Sequence, residues 1–124
     1  MVTVIDREEL KQKLDHPQKS ILVEALPPDH FRKVHLPGAI NIPADQVRSR
    51  ALELMPNKGI EVIVYCAGPT CHASRQAADE LNALGYAKVR HYVGGKEDWI
   101  RAGLLGSNPR WKSEEKISNT RSAA

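Results

Sequence analysis

The chain has 124 residues, of which 41% are hydrophobic and 27% charged, with a formal net charge of +3. That length suits one domain with its own core, and two cysteines are too few for a disulfide-stapled secreted scaffold. The basic residues are scattered, with no stripe of interleaved aromatics, which argues against nucleic acid and leaves only a mild preference for small anions. The first residues lack the apolar core of a signal peptide, and no apolar run approaches the ~18 residues of a membrane span. The expected setting is therefore the cytoplasm, with no membrane partner.

Short apolar runs alternate with helical patterns, predicting an α/β fold with a largely parallel sheet. Residues 2–5 read as a strand, and Asp6 as the N-cap of a helix over 7–14 whose apolar side is Leu10 and Leu14. His16 and Pro17 end it. A strand over 21–24 precedes a helical turn over 30–34, a turn at Leu36, Pro37 and Gly38, and a very short strand over 39–41. Pro43 is a suitable first residue for a helix over 44–54, which Pro56, Asn57, Lys58 and Gly59 terminate. The continuous apolar run over 61–65 suits a central strand covered on both faces. Ala77, Leu81 and Leu84 then recur at helical spacing, giving a helix over 74–84 with Gly85 at C′. A strand over 88–92, a turn at Val93, Gly94 and Gly95, and a helix over 96–102 follow. The expected domain is 1–105. Residues 106–124, rich in Ser, Asn and charge, read as a partly disordered or packed-down tail.

Cys66 follows the central strand directly and lies against the start of the next helix. In open α/β sheets ligands bind beyond the carboxyl ends of strands. Unpaired N–H groups and the helix dipole favour negative charge at such a position, so a lowered thiol pKa and a nucleophilic thiolate are expected. Gly68 permits close backbone approach, and Pro69 stiffens the loop. His72 and Arg75 are the nearby cations. Cys71 is open to several readings: an idle loop residue, a resolver of oxidised or sulfurated Cys66, or the nucleophile itself. Cys66, Cys71 and His72 lack the paired-ligand spacing of a zinc site, so no metal is expected. His35 is expected to make a structural hydrogen bond, His91 to pack within its strand, and Trp99 to anchor the core under the last helix.

Four segments, in order, resemble the single-domain rhodanese-like sulfurtransferases over residues 2–105: LVEALPPDHFRKVHLPGAINIP at 22–43, VIVYCAGPTC at 62–71, RQAADELNALGY at 75–86 and VRHYVGGKEDWIRAGL at 89–104. The resemblance implies a five-stranded parallel sheet with helices on both faces. It implies that Cys66 accepts sulfur from thiosulfate or a similar small anion, becomes a persulfide, and passes that sulfur to cyanide, a thiol or a protein acceptor. Ala67, Gly68, Thr70, Cys71, His72 and Arg75 would then surround the substrate, with no metal or organic cofactor. Two departures stand out. Glu24 and Leu26 replace the family's Asp and Arg, and the stretch from Cys66 to the helix is about two residues longer than in the common form. The phosphatase version of the fold is excluded, because it requires an arginine six residues past the cysteine and His72 stands there. The alternatives are a thiol–disulfide enzyme using Cys66 and Cys71, and a non-catalytic protein-binding module.

Overall fold

A computed structural model describes residues 2–104; the expected tail lies outside the described residues. Five parallel strands form one sheet: β1 (Val2–Val4), β2 (Ser20–Glu24), β3 (Ile40–Asn41), β4 (Glu61–Tyr65) and β5 (Lys88–His91), in the order β1-β5-β4-β2-β3. Five helices connect and cover them: α1 (Arg7–Leu14), α2 (Pro28–Lys33), α3 (Val47–Leu54), α4 (Ala73–Ala83) and α5 (Gly95–Arg101).

Side-chain alternation along a strand assigns the two faces. Val62 and Val64 of β4 join Val23 and Val89 on one side, against Val47 and Ala51 of α3 and Ala77 and Leu81 of α4. Ile63 and Tyr65 point the other way, into a cluster with Leu10 of α1, Tyr92 and Trp99 of α5. Because β4 is covered on both sides, its side chains from Val62 to Tyr65 are all fully buried, as a continuous apolar run requires. Trp99 is the expected anchor, its ring edge-on to Tyr92 at 6.4 Å.

Several boundaries move by a residue or two from the sequence reading, and one helix divides. The expected helix over 44–54 enters as a single 3-10 turn, Ala44–Gln46, before α3 begins at Val47. Extended backbone at Pro43 and a ψ of 2° at Gln46 break the α-helical register there, so the first bond runs from Gln46 N–H to the Pro43 carbonyl. α2 stops at Lys33 because Val34 is already extended. Asp6 caps α1 through its carboxylate, 2.8 Å from Glu9 N. Gly85, at φ +101°, ends α4 with the paired bonds of a Schellman turn from Gly85 and Tyr86.

Since every strand runs in the same direction, their carboxyl ends share one edge of the sheet. The register aligns Glu24 with Tyr65 and Val64 with His91 along that edge. The chain leaves β4 there, at Cys66.

Candidate active site

Cys66 begins a loop that reaches α4 at Ala73. A turn closes its middle, with Cys71 N–H on the Gly68 carbonyl at 3.1 Å. The first turn of α5 grips its start: Lys96 N–H binds the Cys66 carbonyl at 3.0 Å, and Glu97 N–H the Ala67 carbonyl at 2.8 Å. This grip depends on Gly95. Its φ is +62°, and a Cβ placed there would lie 2.4 Å from the Cys66 carbonyl oxygen, so only glycine lets the two backbones meet.

The Cys66 side chain is buried, at 1% exposure. Its Sγ lies 3.4 Å from Ser74 N, 3.0 Å from Ser74 Oγ and 3.6 Å from the Cys71 carbonyl oxygen, so the two oxygens are alternative acceptors for its one S–H. The two cysteine side chains lie close enough for each to shift the pKa of the other. Cys71 is half-buried, nearer the mouth of the loop.

The expected depression of the Cys66 thiol pKa does not occur; the favoured thiolate is Cys71. Burial pushes the Cys66 thiol up, the neighbouring Cys71 adds to this, and the Ser74 contacts offset only part of it. Partial burial also opposes ionisation of Cys71. It is nonetheless held below the ordinary thiol value by the neighbouring Cys66 thiol and by the N–H groups of Ala67, Ala73 and Ser74. The amides expected around the first cysteine thus converge largely on the second. The turn that binds Cys71 N–H to the Gly68 carbonyl brings the sulfur of residue 71 to these N–H groups.

Of the other residues expected around the substrate, Ala67 contributes its N–H to that cradle. Gly68 is buried against Glu97. Thr70, His72 and Arg75 are exposed around the mouth. His72 precedes α4 without capping it through its side chain, and the charge of Arg75 is felt at His91. His35 makes its structural hydrogen bond, Nδ1 to the Phe31 carbonyl at 2.8 Å, with its ring stacked on Phe31.

Three features were not anticipated. Ser74 touches Cys66, and its Oγ also lies 2.7 Å from His91 Nε2. His91 shares a face with Val89 and so looks toward α4, a relation that strand parity together with β4–β5 pairing would have exposed. Behind the loop, Glu24 is fully buried and joined to Lys96 Nζ at 2.9 Å and to the Tyr65 hydroxyl at 2.7 Å. A surface depression of about 700 Å³ lies elsewhere, at the amino ends of the strands beside Lys13, Glu61 and Lys88, away from the cysteines. Among the described residues no cluster of three His, Cys, Asp or Glu side chains is placed to hold a metal, and no helix is long and apolar enough to cross a membrane.

The model of the rhodanese-like domain matches residues 6–102 of this chain. The chain belongs to the rhodanese-like family. As a rhodanese-like domain it is 31% identical over 104 residues to a sulfurtransferase of Allochromatium vinosum, covering 84% of this chain and 94% of that protein. It is 33% identical over 98 residues to the putative sulfur carrier protein YrkF of Bacillus subtilis, covering 77% of this chain and 49% of YrkF. The chain therefore spans about half the length of that relative. The crystal structure of a thiosulfate sulfurtransferase from Pseudomonas aeruginosa superimposes with a TM-score of 0.74 at 27% identity, over 86% of this chain and 20% of that one. This rhodanese-like domain thus has sulfurtransferases among its relatives, and its five-stranded parallel sheet is the fold that the resemblance implied.

Proposed function

We propose that this rhodanese-like domain moves sulfane sulfur from thiosulfate or a similar donor to a thiophilic acceptor, with Cys66 as the persulfide carrier. The observation that carries this reading is the position of Cys66 Sγ. It sits at the carboxyl end of the central strand, against the start of α4, within reach of the Ser74 N–H and hydroxyl. The name of the Pseudomonas protein supports thiosulfate as donor. In the forward step the Cys66 thiolate attacks the outer sulfur of the donor. A new sulfur–sulfur bond forms on Cys66, and the old one breaks to release sulfite. The persulfide anion then needs N–H donors, and Ala67, Ala73 and Ser74 supply them once the Cys71 side chain yields its place. An acceptor such as cyanide or a thiol then takes the outer sulfur and regenerates the thiolate.

One observation favours a second reading. Cys71 is the more accessible sulfur and the one whose pKa is held below the ordinary thiol value, which suits it to attack first. Intact-protein mass after a thiosulfate pulse, together with thiocyanate production, separates the two. In the first reading Cys66→Ser gains no sulfur atom and makes no thiocyanate, whereas Cys71→Ser still gains one. The reverse pattern establishes Cys71 as the carrier. A reducible Cys66–Cys71 disulfide as the sole product supports redox chemistry instead.

A further inference from the structure

Cys66, Ser74 and His91 form an unbroken hydrogen-bonded row from the reacting sulfur to an imidazole. Sγ to Oγ is 3.0 Å, and Oγ to Nε2 is 2.7 Å. Three different elements supply its members. Cys66 follows β4, Ser74 is buried in the first turn of α4, and His91 closes β5 one strand over, opposite Val64 in the register. A hydroxyl has one proton to donate, so the row has two self-consistent polarities. With the thiol protonated, S–H points to Oγ, and O–H points to Nε2 of a neutral ring. With the thiolate present, a protonated Nε2 points to Oγ, and O–H points to the sulfur.

We propose that Ser74 and His91 are a proton relay for Cys66, the imidazole taking the thiol proton through the serine hydroxyl and returning it later. Cys66 requires such a partner, because burial leaves its thiol protonated at neutral pH. Burial and the Arg75 charge hold His91 below the ordinary imidazole value, with Asp79 opposing, so at rest it is neutral and free to accept. Arg75 and Asp79 both come from α4; from β1 the register partner is the uncharged Val4. His91 does not touch the substrate and acts through Ser74, which makes it a positioning residue.

In use, the relay rests on the sulfur-transfer reading, and the step balances as follows. The Cys66 proton passes to Ser74 Oγ as the Ser74 proton passes to His91 Nε2. The thiolate then bonds the sulfane sulfur, and sulfite departs with the electrons of the broken bond. The imidazolium remains near the persulfide anion until the acceptor removes sulfur and the proton returns along the same path.

The test uses Cys71→Ser protein, so that iodoacetamide reports on Cys66 alone, from about pH 5.5 to 9.5 across the imidazole and thiol ranges. Adding His91→Gln preserves a hydrogen bond to Ser74 but removes the base. The expected result is alkylation slower by roughly tenfold at neutral pH, a midpoint higher by about one unit, and convergence of the two rates at high pH. Adding Ser74→Ala slows the reaction and makes His91→Gln silent. A merely structural role scales the rate equally at every pH. Superimposable profiles with and without His91, or an undiminished His91→Gln effect in the Ser74→Ala background, overturn the relay. If His91→Gln does not fold, ring NMR of the wild-type protein serves in its place. The His91 titration then shows a second inflection at the ionisation of Cys66 that is lost in Cys66→Ala, and an unchanged titration in Cys66→Ala overturns the relay. A thiosulfate pulse on wild type runs alongside. Failure to load sulfur with the alkylation profile as expected removes the sulfur-transfer reading and leaves the relay standing.

Discussion

Glu24 carries a carboxylate in the interior, and two other side chains respond to it. Lys96 reaches across from α5 to pair with it at 2.9 Å and also donates to the His30 carbonyl at 2.8 Å. The Tyr65 hydroxyl donates to the carboxylate at 2.7 Å and accepts from Leu36 N–H at 3.1 Å. The cation for Glu24 is supplied from a helix some seventy residues later in the chain. Removing one partner of a buried pair leaves an uncompensated charge. Lys96→Met should cost about 3–5 kcal/mol of stability, and adding Glu24→Gln should restore part of the loss. Urea unfolding of the two variants checks this, and equal midpoints for Lys96→Met and wild type would contradict it. Glu24 and Tyr65 were legible as strand residues. Their partnership was not, because nothing in the local sequence links them to Lys96.

At the scale of elements, the site is a contact between one loop and the first turn of α5. Two N–H groups of that turn hold the Cys66 and Ala67 carbonyls, and Gly95 is where the backbones touch. Gly95→Ala should therefore destabilise the fold by about 1–3 kcal/mol from the left-handed backbone alone, with more from the contact with Cys66. It should also change the alkylation rates of Cys66 and Cys71 unequally, since the Lys96 and Glu97 N–H groups would be pushed from the Cys66 and Ala67 carbonyls. Thermal melts and per-cysteine alkylation rates measure the two effects; a variant with wild-type melting would show that the close approach is not required. The glycine pair at 94 and 95 reads from sequence only as a turn. That the second glycine abuts the cysteine loop follows from the packing of α5 across the end of β4. The division of the helix over 44–54 is a similar case, where a favourable helix opening at Pro43 gives way to the path the chain must take from β3 onto the opposite face.

For the whole molecule, the arrangement makes stability depend on pH through His91. Its folded-state pKa lies below the ordinary imidazole value, chiefly through burial. The unfolded chain therefore binds the proton more readily, and stability is fully present above about pH 6.5 and is lost as pH falls below it. His91→Gln removes this dependence. The difference in urea midpoint between wild type and variant should thus shift against wild type as pH is lowered from about 7.5 to 5.5, the window below the unfolded imidazole value. A constant difference across that window would show that His91 is equally ready to charge in both states.

The chain itself determined the strand–helix alternation, the central place of β4, the caps at Asp6 and Gly85, and the position of Cys66 at a strand end, because each follows from residues close together in sequence. The tertiary structure decided which thiol is raised and which lowered in pKa, what stands next to each, and which base Cys66 can reach. Those outcomes depend on desolvation and on the direction of individual N–H and O–H groups, and only the packing of β4, β5, α4 and α5 at one edge of the sheet sets them.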